Sequence, residues 1–391
     1  MKYDFDRLID RRGTDSVKYD LLRPVFGSDD LLPLWVADMD FEVPPFVNEA
    51  ILRRAAHPVY GYTYRPKRFY RVVAEWIKRR HGWDVKPGMI NFSPGVVPAL
   101  NMCVMAFTEP GDRVVVQPPV YFPFFSAVTN HRRTLLYNQL VEHEGIYEID
   151  FDQLEAQFRK GVKLYLLCHP HNPVGRVWRK HELERLAELC IRYRVLVISD
   201  EIHSDLVLPG YKHIPLASLG KEVADMTITC VAPSKTFNLA GLYTSLVIIP
   251  NEKLKKDYDR ILDAIHVGGG NIFGMVAMEA AYSHGDEWLD QLIRYLEHNY
   301  RTLCDHCKTA LPQINISPLE ATYLVWLDMS FLGLDDKALR KFVIEKARLG
   351  LNDGPMFGPG GSSHQRMNIA TPKSILVEGI SRLSDAVSSV I

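Results

Sequence analysis

The chain has 391 residues, of which 47% are hydrophobic and 24% are charged. This composition is typical of a globular protein, and the length is sufficient for two domains of unequal size. A formal net charge of -1 gives no overall electrostatic attraction to nucleic acid or to an anionic membrane, so neither is an expected partner.

The start of the chain and its apolar runs bear on localisation. Residues 1–10 alternate charged and apolar side chains and lack the basic start and apolar core of a secretory signal. The longest apolar runs, such as 195–198, are as short as strands, whereas a membrane-spanning helix needs about 20 apolar residues. We therefore expect a cytoplasmic protein.

Short β-branched runs alternate with helical patterns between residues 91 and 250. This alternation predicts a parallel or mixed sheet flanked by helices. The predicted strands are 113–117, 133–137, 163–168, 195–200, 226–231 and 244–249, and the predicted helices are 98–108, 150–160, 180–193 and 251–265.

The pattern changes at residue 286. A long amphipathic helix over 286–311 is followed by a strand at 323–327, a helix near 335–348, a glycine- and proline-rich loop and a final helix.

These elements predict an α/β fold in two domains. A large domain over 46–285 holds a mostly parallel central sheet flanked by helices, and a smaller α+β domain covers 286–391. Four prolines interrupt residues 1–45, so we expect this segment to pack on the small domain rather than form a core element of its own.

Three polar residues follow or end predicted strands: Asn172, Asp200 and Lys235. Ligand sites in such sheets lie at the carboxyl ends of the strands. A lysine amine forms a Schiff base with the aldehyde of pyridoxal 5'-phosphate (PLP), and a carboxylate pairs with its protonated pyridine nitrogen. Separately, each residue has an ordinary explanation: Asn172 as a turn residue, Asp200 as a helix cap and Lys235 as a solvated loop lysine. Together they favour a PLP site.

Other residues match the remaining parts of such a site. Backbone N–H groups at Gly95 and Val96 precede a helical pattern and suit a phosphate. Tyr121 suits stacking on a planar ring, and the Arg366 guanidinium matches a carboxylate. The ordinary alternatives are a plain helix start for Gly95 and Val96, a core position for Tyr121 and a surface salt bridge for Arg366.

A metal site is an alternative use of the polar residues near these strand ends: His169, His171, His203, Asp200, Glu201 and Asp205. A metal would leave Lys235 and Arg366 without a role, so we predict no metal and expect His203 to orient Asp200. Cys304 and Cys307 have a metal-type spacing, but no second cysteine pair lies nearby.

Four motifs carry a resemblance to a known family: residues 35–41 (WVADMDF), 60–62 (YGY), 170–175 (PHNPVG) and 234–241 (SKTFNLAG). Over nearly its whole length the chain resembles the fold type I PLP enzymes of the aspartate aminotransferase superfamily. Within them it is most similar to the MalY/PatB branch of cystathionine or cysteine-S-conjugate β-lyases. The resemblance implies the fold type I architecture, a PLP cofactor and a homodimer with its active sites at the subunit interface.

The resemblance also implies individual roles. Lys235 would be the Schiff-base lysine, Asp200 the partner of the pyridine nitrogen and Asn172 a hydrogen-bond partner of the ring hydroxyl. Phosphate contacts would come from Gly95, Val96 and Ser234, with Tyr60 of the other subunit. Tyr121 would stack on the ring, and Arg366 would bind the substrate carboxylate beside Asn172 and the Ala37 backbone.

Two positions depart from the aminotransferase pattern. Tyr243 stands eight residues after Lys235, where many aminotransferases have a phosphate-binding arginine, and Ala232 stands where a hydroxyl residue is frequent. The missing arginine fits the lyase branch better than the transaminases.

The resemblance therefore implies α,β-elimination on L-cystathionine or a related L-cysteine S-conjugate, giving a thiol, pyruvate and ammonia. Lys235 would remove the α proton, and Lys235, Tyr60 or Tyr121 would return a proton to the leaving group. An aminotransferase is the alternative, because both reactions begin identically. A regulatory or interaction protein built on the same fold is an alternative of another class.

Overall fold

The computed structural model describes residues 2–390. Within that range the α-helices are α1 (Val17–Asp20), α2 (Leu22–Phe26), α3 (Pro45–Ala55), α4 (Lys67–His81), α5 (Val96–Phe107), α6 (Pro123–Thr129), α7 (Phe151–Phe158), α8 (Lys180–Tyr193), α9 (Lys221–Ala224), α10 (Pro233–Thr236), α11 (Glu252–Ala264), α12 (Ile272–His284), α13 (Asp286–Ala310), α14 (Asp336–Glu345) and α15 (Lys373–Ser388).

The strands of the same range are β1 (Leu32–Pro33), β2 (Ile90–Ser93), β3 (Arg113–Val116), β4 (Thr134–Tyr137), β5 (Val141–His143), β6 (Ile146–Glu148), β7 (Val162–Cys168), β8 (Leu196–Asp200), β9 (Thr227–Val231), β10 (Ser245–Ile248), β11 (Asn315–Ile316), β12 (Leu324–Asp328), β13 (Leu349–Gly350), β14 (Asn352–Asp353) and β15 (His364–Asn368).

A seven-stranded sheet forms the centre, with strand order β2-β10-β9-β8-β7-β3-β4. Strand β10 runs antiparallel to both of its neighbours, and every other pairing is parallel. The predicted mostly parallel α/β sheet is confirmed. All six predicted central strands are present, whereas the prediction did not include β2.

Helices cover both faces of this sheet, which is why strands such as β3 and β7 are mostly apolar. Along β7, Leu164 and Leu166 pack into one core with α5, α6 and α11, and Tyr165 and Leu167 pack into a second core with α7 and α8. The alternation follows from the two-residue period of a strand.

Side-chain caps fix the starts of two predicted helices. Asp150 accepts a hydrogen bond from the N–H of Gln153 at the start of α7, and Asn251 accepts from Lys253 and Leu254 at the start of α11. Each cap satisfies N–H groups that have no partner inside the helix. The predicted helices 150–160 and 251–265 begin at these capping residues.

The C-terminal part contains a four-stranded antiparallel sheet of order β11-β12-β15-β14 together with α13, α14 and α15. From the N-terminal segment, β1 pairs in parallel with β13, with Leu32 opposite Leu349. The proposed domain boundaries at residues 45 and 285 stay a prediction. The outer limits of the predicted segments, residues 1 and 391, lie outside the described part. Between residues 2 and 390, no helix is both long and apolar enough to cross a membrane.

Candidate active site

A cavity of about 270 Å³ lies at the carboxyl ends of the central strands. Nine of the predicted site residues line it: Ala37, Gly95, Val96, Tyr121, Asn172, Asp200, His203, Ser234 and Lys235. The sheet register explains this grouping, because Cys168 at the end of β7 lies opposite Asp200 at the end of β8, and Asp200 lies opposite Cys230 of β9. The loops that follow these strands therefore meet at one edge.

Lys235 lies in the one-turn helix α10, directly after β9. Its Nζ donates a hydrogen bond of 2.8 Å to the carbonyl oxygen of Ala37. Burial, aided by the charge of Arg366, lowers the pKa of the Lys235 amine to about 8, against the opposing effects of Asp38 and Asp200. A substantial fraction of this amine is therefore neutral near pH 8, as a nucleophile or general base requires.

Asp200 is a buried carboxyl group that faces the same cavity. Burial raises its pKa to about 7, although the backbone N–H of Ile202 and the charge of Lys235 lower it. The hydrogen bond from Ile202, 3.1 Å long, is the only one that the carboxylate accepts from residues 2–390, and it uses Oδ1. A cationic ring nitrogen placed beside Asp200 would favour the ionised carboxylate.

Arg366 lies on β15 and is only 3% exposed. Its Nη1 donates to Asn172 Oδ1 at 2.9 Å, and its Nη2 donates to Asn352 Oδ1 at 2.6 Å and to the Trp35 carbonyl at 3.2 Å. Within residues 2–390 its Nε has no hydrogen-bond partner, and the acceptors of the guanidinium are two amide oxygens and a backbone carbonyl rather than a carboxylate. The alternative of a surface salt bridge is therefore wrong.

Neutral acceptors thus hold the guanidinium of Arg366 in place. Burial lowers its pKa to about 10. The guanidinium keeps its charge at neutral pH, and an anionic ligand would offset the cost of burying it. Arg366 does not line the cavity itself, but it contacts Asn172, which does.

The start of α5 forms another wall of the cavity. Gly95 directly precedes the helix, and a methyl group on Gly95 would come within 3.1 Å of Pro98 Cδ. The hydroxyl of Ser93 donates to the Gly95 carbonyl at 2.6 Å, which fixes the chain at this turn. The first N–H groups of a helix have no intrahelical partner, so this wall suits a phosphate.

Tyr121 and His203 complete the cavity lining. The Tyr121 N–H donates to the Asn172 carbonyl at 3.1 Å, and burial raises the pKa of the Tyr121 phenol. Burial, with the charges of Lys235 and Arg366, lowers the pKa of His203 to about 3, so its imidazole is neutral. Within residues 2–390 no hydrogen bond joins His203 to Asp200, and the orienting role predicted for His203 stays a prediction.

Tyr60 lies away from the cavity of its own chain. Its hydroxyl donates to the Ala55 carbonyl at 2.8 Å, and its ring packs 5.7 Å from that of Phe273. Together with residues 61–63 and 269–273 it lines a separate groove of about 490 Å³. Tyr60 therefore does not line the cavity around Lys235 within its own chain.

Three side chains that the sequence analysis did not select hold the segment 36–39 against the site. The Tyr323 hydroxyl donates to the Ala37 carbonyl at 2.9 Å. Asn238 accepts from the Met39 N–H at 3.0 Å, and Asn368 donates to the carbonyls of Val36 and Asp38, each at 2.6 Å. Asn238 belongs to the quoted motif 234–241, whereas Tyr323 and Asn368 lie at strand ends without a distinguishing signal.

Residues 2–390 contain no group of three or more histidine, cysteine, aspartate or glutamate side chains arranged to hold a metal ion. Two of the histidines considered above contact backbone carbonyls instead. The Nε2 of His169 lies 3.1 Å from the Ile214 oxygen, and the Nε2 of His171 lies 2.9 Å from the Pro119 oxygen.

Comparisons with known proteins agree with this geometry. The sequence profile of the family described as Aminotransferase class I and II matches residues 29–383. Cystathionine beta-lyase PatB of Bacillus subtilis is 46% identical over 386 residues, which cover 98% of this chain and 100% of PatB.

Two solved structures are also similar. A PLP-bound protein of Clostridium difficile, described as a candidate aminotransferase, superposes with a TM-score of 0.97 at 42% identity and covers 98% of this chain and 100% of its own. Cystalysin of Treponema denticola, whose structure contains pyridoxal 5'-phosphate, superposes with a TM-score of 0.96 at 38% identity and covers 100% of both chains. The resemblance predicted from the sequence motifs is confirmed, and the chain belongs to the aminotransferase class I and II family.

Proposed function

We propose that the protein is a PLP-dependent carbon–sulfur β-lyase that acts on L-cystathionine or a related L-cysteine S-conjugate and yields a thiol, pyruvate and ammonia. One observation carries the proposal. A lysine amine with a lowered pKa and a buried carboxyl group with a raised pKa face one cavity. The 46% identity to the cystathionine beta-lyase of Bacillus subtilis supports elimination as the reaction.

The residues of the cavity fit PLP. Asp200 offers a carboxylate to the ring nitrogen, the start of α5 with Ser234 offers donors to the phosphate, and Tyr121 offers an aromatic face. Lys235 offers a reactive amine to the aldehyde. When bound, PLP supplies an electron sink for the carbanion formed at the substrate α carbon.

The protein's own residues bind the substrate and transfer the protons. Arg366 and Asn172 hold the substrate carboxylate, which turns the α hydrogen toward Lys235. The neutral Lys235 amine removes that proton, and the Ala37 carbonyl accepts a hydrogen bond from the amine. The thiolate leaves the β carbon and takes a proton from Lys235, Tyr121 or Tyr60. Water then hydrolyses the released 2-aminoacrylate to pyruvate and ammonia.

The role of Tyr60 requires a homodimer. Tyr60, Tyr62 and Tyr64 are all exposed residues. Exposed aromatic clusters of this kind favour an interface. A homodimer that brings this loop to the partner's cavity, in the cytoplasm, is part of the same proposal.

An aminotransferase is the second candidate function, and the description of the Clostridium difficile protein favours it. Tyr243 weighs against it. This residue stands where many aminotransferases have an arginine, it lines the cavity, and its side chain cannot offer a positive charge to the phosphate.

The test is to incubate the purified PLP-loaded protein with L-cystathionine and to assay pyruvate and free thiol together. Equal amounts of both products, formed without an added keto acid and lost in Lys235→Ala, are the expected result. Lys221→Ala removes an exposed lysine that pairs with Asp225 and is the matched control. Pyruvate formation that depends on a keto acid would favour transamination, and failure to bind PLP would contradict the whole proposal.

A further inference from the structure

A hydrogen bond joins the turn that follows Asp200 to the one-turn helix α10, which contains Lys235. Asp200 ends β8, and the turn that follows reaches Asp205. Lys235 directly precedes Thr236 in α10. The Thr236 hydroxyl donates to Asp205 Oδ2 at 2.9 Å, and both side chains are buried. The hydrogen bond between Thr236 and Asp205 therefore links the turn after Asp200 to α10 just behind the cavity.

Helix α4 holds Asp205 from the other side. Trp76 Nε1 donates to Asp205 Oδ2 at 3.3 Å, and His81 Nε2 lies 2.9 Å from Oδ1. Burial alone would raise the pKa of Asp205, but hydrogen bonds to His81 and Thr236 lower it, so the carboxylate is ionised. Both carboxylate oxygens have partners, and two of these partners, Trp76 and His81, lie on α4.

A second buried pair fixes the beginning of the same turn. Glu201, next to Asp200, lies 2.8 Å from His213 Nε2 and accepts a hydrogen bond of 2.8 Å from the Ser199 hydroxyl. The rings of His213 and His81 meet edge to face at 5.3 Å, so the two pairs touch. The turn after Asp200 is thus held at both ends by polar contacts.

None of the side chains of Asp205, Thr236, His81, Glu201 and His213 lines the cavity. The polar atoms of Asp205 and Thr236 are engaged with each other and with α4, so any influence they have on the reaction passes through Asp200 and Lys235. Proton transfer is sensitive to such influence, because a displacement of about 1 Å at the reacting groups can cost about 100-fold in rate.

We propose that Asp205 and Thr236 are positioning residues for the lyase reaction: their hydrogen bond sets the position of the Lys235 turn relative to Asp200. This inference rests on the proposed function, since it assigns a role within that reaction. It concerns where the Lys235 amine points and leaves the chemical steps unchanged.

Thr236→Val tests the inference, because valine keeps the shape of threonine and replaces its hydroxyl with a methyl group, which cannot donate to Asp205. We expect kcat for L-cystathionine to fall about tenfold while KM stays within about twofold, since no substrate contact is lost. Thr236→Ser restores the hydroxyl and should recover most of kcat. Thr227→Val is the matched control: Thr227 is fully buried and donates to the Val223 carbonyl at 2.7 Å, at the opposite end of β9.

A second readout uses the PLP-free protein. The pH dependence of Lys235 acetylation, followed by peptide mass spectrometry, reports the environment of the amine directly. In Thr236→Val we expect its midpoint to move up from about 8 toward the ordinary lysine value of 10.5, because a displaced turn exposes the amine to water. Asp205→Asn provides a second variant if Thr236→Val does not fold, and the same upward shift is expected.

Wild-type kcat and an unshifted acetylation midpoint in both Thr236→Val and Asp205→Asn would overturn the inference. It would equally be overturned if Thr236→Ser were as slow as Thr236→Val, since the hydroxyl would then not be responsible. If the wild-type protein forms no pyruvate and thiol, the proposed function fails. The acetylation midpoints would still decide whether the pair positions Lys235.

Discussion

Lys235 Nζ donates to the carbonyl oxygen of Ala37 at 2.8 Å, although the two residues are 198 positions apart in the sequence. The same carbonyl accepts a hydrogen bond from Tyr323, which comes from the C-terminal part of the chain. Three distant segments therefore meet at one oxygen atom. The position of the amine depends on how firmly this carbonyl is held.

Tyr323→Phe should lower kcat/KM for L-cystathionine by about tenfold. The ring stays in place, but the Ala37 carbonyl loses a donor and the amine loses a fixed partner. The free energy of unfolding should fall by about 1 kcal/mol, as for a typical buried hydrogen bond. Steady-state kinetics and urea unfolding measure the two effects.

Tyr258→Phe is the control for this prediction. Tyr258 is fully buried, and its hydroxyl donates to the Phe92 carbonyl at 3.2 Å. A similar loss of stability without the kinetic loss is expected. Equal kinetic losses in both variants would contradict a specific role of the Ala37 carbonyl.

Capture of PLP by the cofactor-free protein should become faster with rising pH and level off above about 8. Only the neutral amine attacks an aldehyde, and burial lowers the pKa of Lys235 to about 8. An amine with the ordinary lysine pKa of 10.5 would keep accelerating far beyond that pH. Stopped-flow absorbance of added PLP gives the profile, and Lys235→Ala gives the noncovalent background.

Asp200→Asn should stabilise the cofactor-free protein above pH 7 and weaken PLP binding. The folded-state pKa of about 7 exceeds the ordinary value of 3.8, so the cost of ionising Asp200 appears as pH rises from about 4 to 7 and is complete above 7. That cost is on the order of 4 kcal/mol and is absent in asparagine, which still accepts from Ile202.

Urea unfolding at pH 5 and at pH 8, without PLP, measures this difference. The free energy of unfolding of Asp200→Asn should exceed that of wild type by more at pH 8 than at pH 5. PLP titration of the same two proteins should show weaker binding by the variant. An advantage that does not depend on pH would mean that the carboxyl group is not held in the environment described here.

Particular residues show how far the sequence predicts this site. Asn172, Asp200 and Lys235 are predictable because the carboxyl ends of parallel strands share one edge of a sheet. The contact of Thr236 with Asp205 is not, because it depends on how α4 packs behind the sheet. Strand β2 was missed because two of its four residues, Asn91 and Ser93, are polar, so it lacks the apolar run that marks the predicted four-residue strand β3.

The last prediction concerns Tyr60, which its own chain leaves outside the cavity. If the partner supplies Tyr60, one subunit carrying Tyr60→Ala and one carrying Lys235→Ala form a dimer with one intact site and one doubly damaged site. If neither variant is active alone, unfolding and refolding an equal mixture of the two should restore about a quarter of the wild-type activity, since about half of the dimers are mixed and each mixed dimer has one intact site of two. Tyr62→Ala is the matched control for Tyr60→Ala, because Tyr62 lies in the same groove but has no predicted role in the site. No recovery of activity after refolding, in a mixture that forms dimers by light scattering, would mean that each site is completed within one chain.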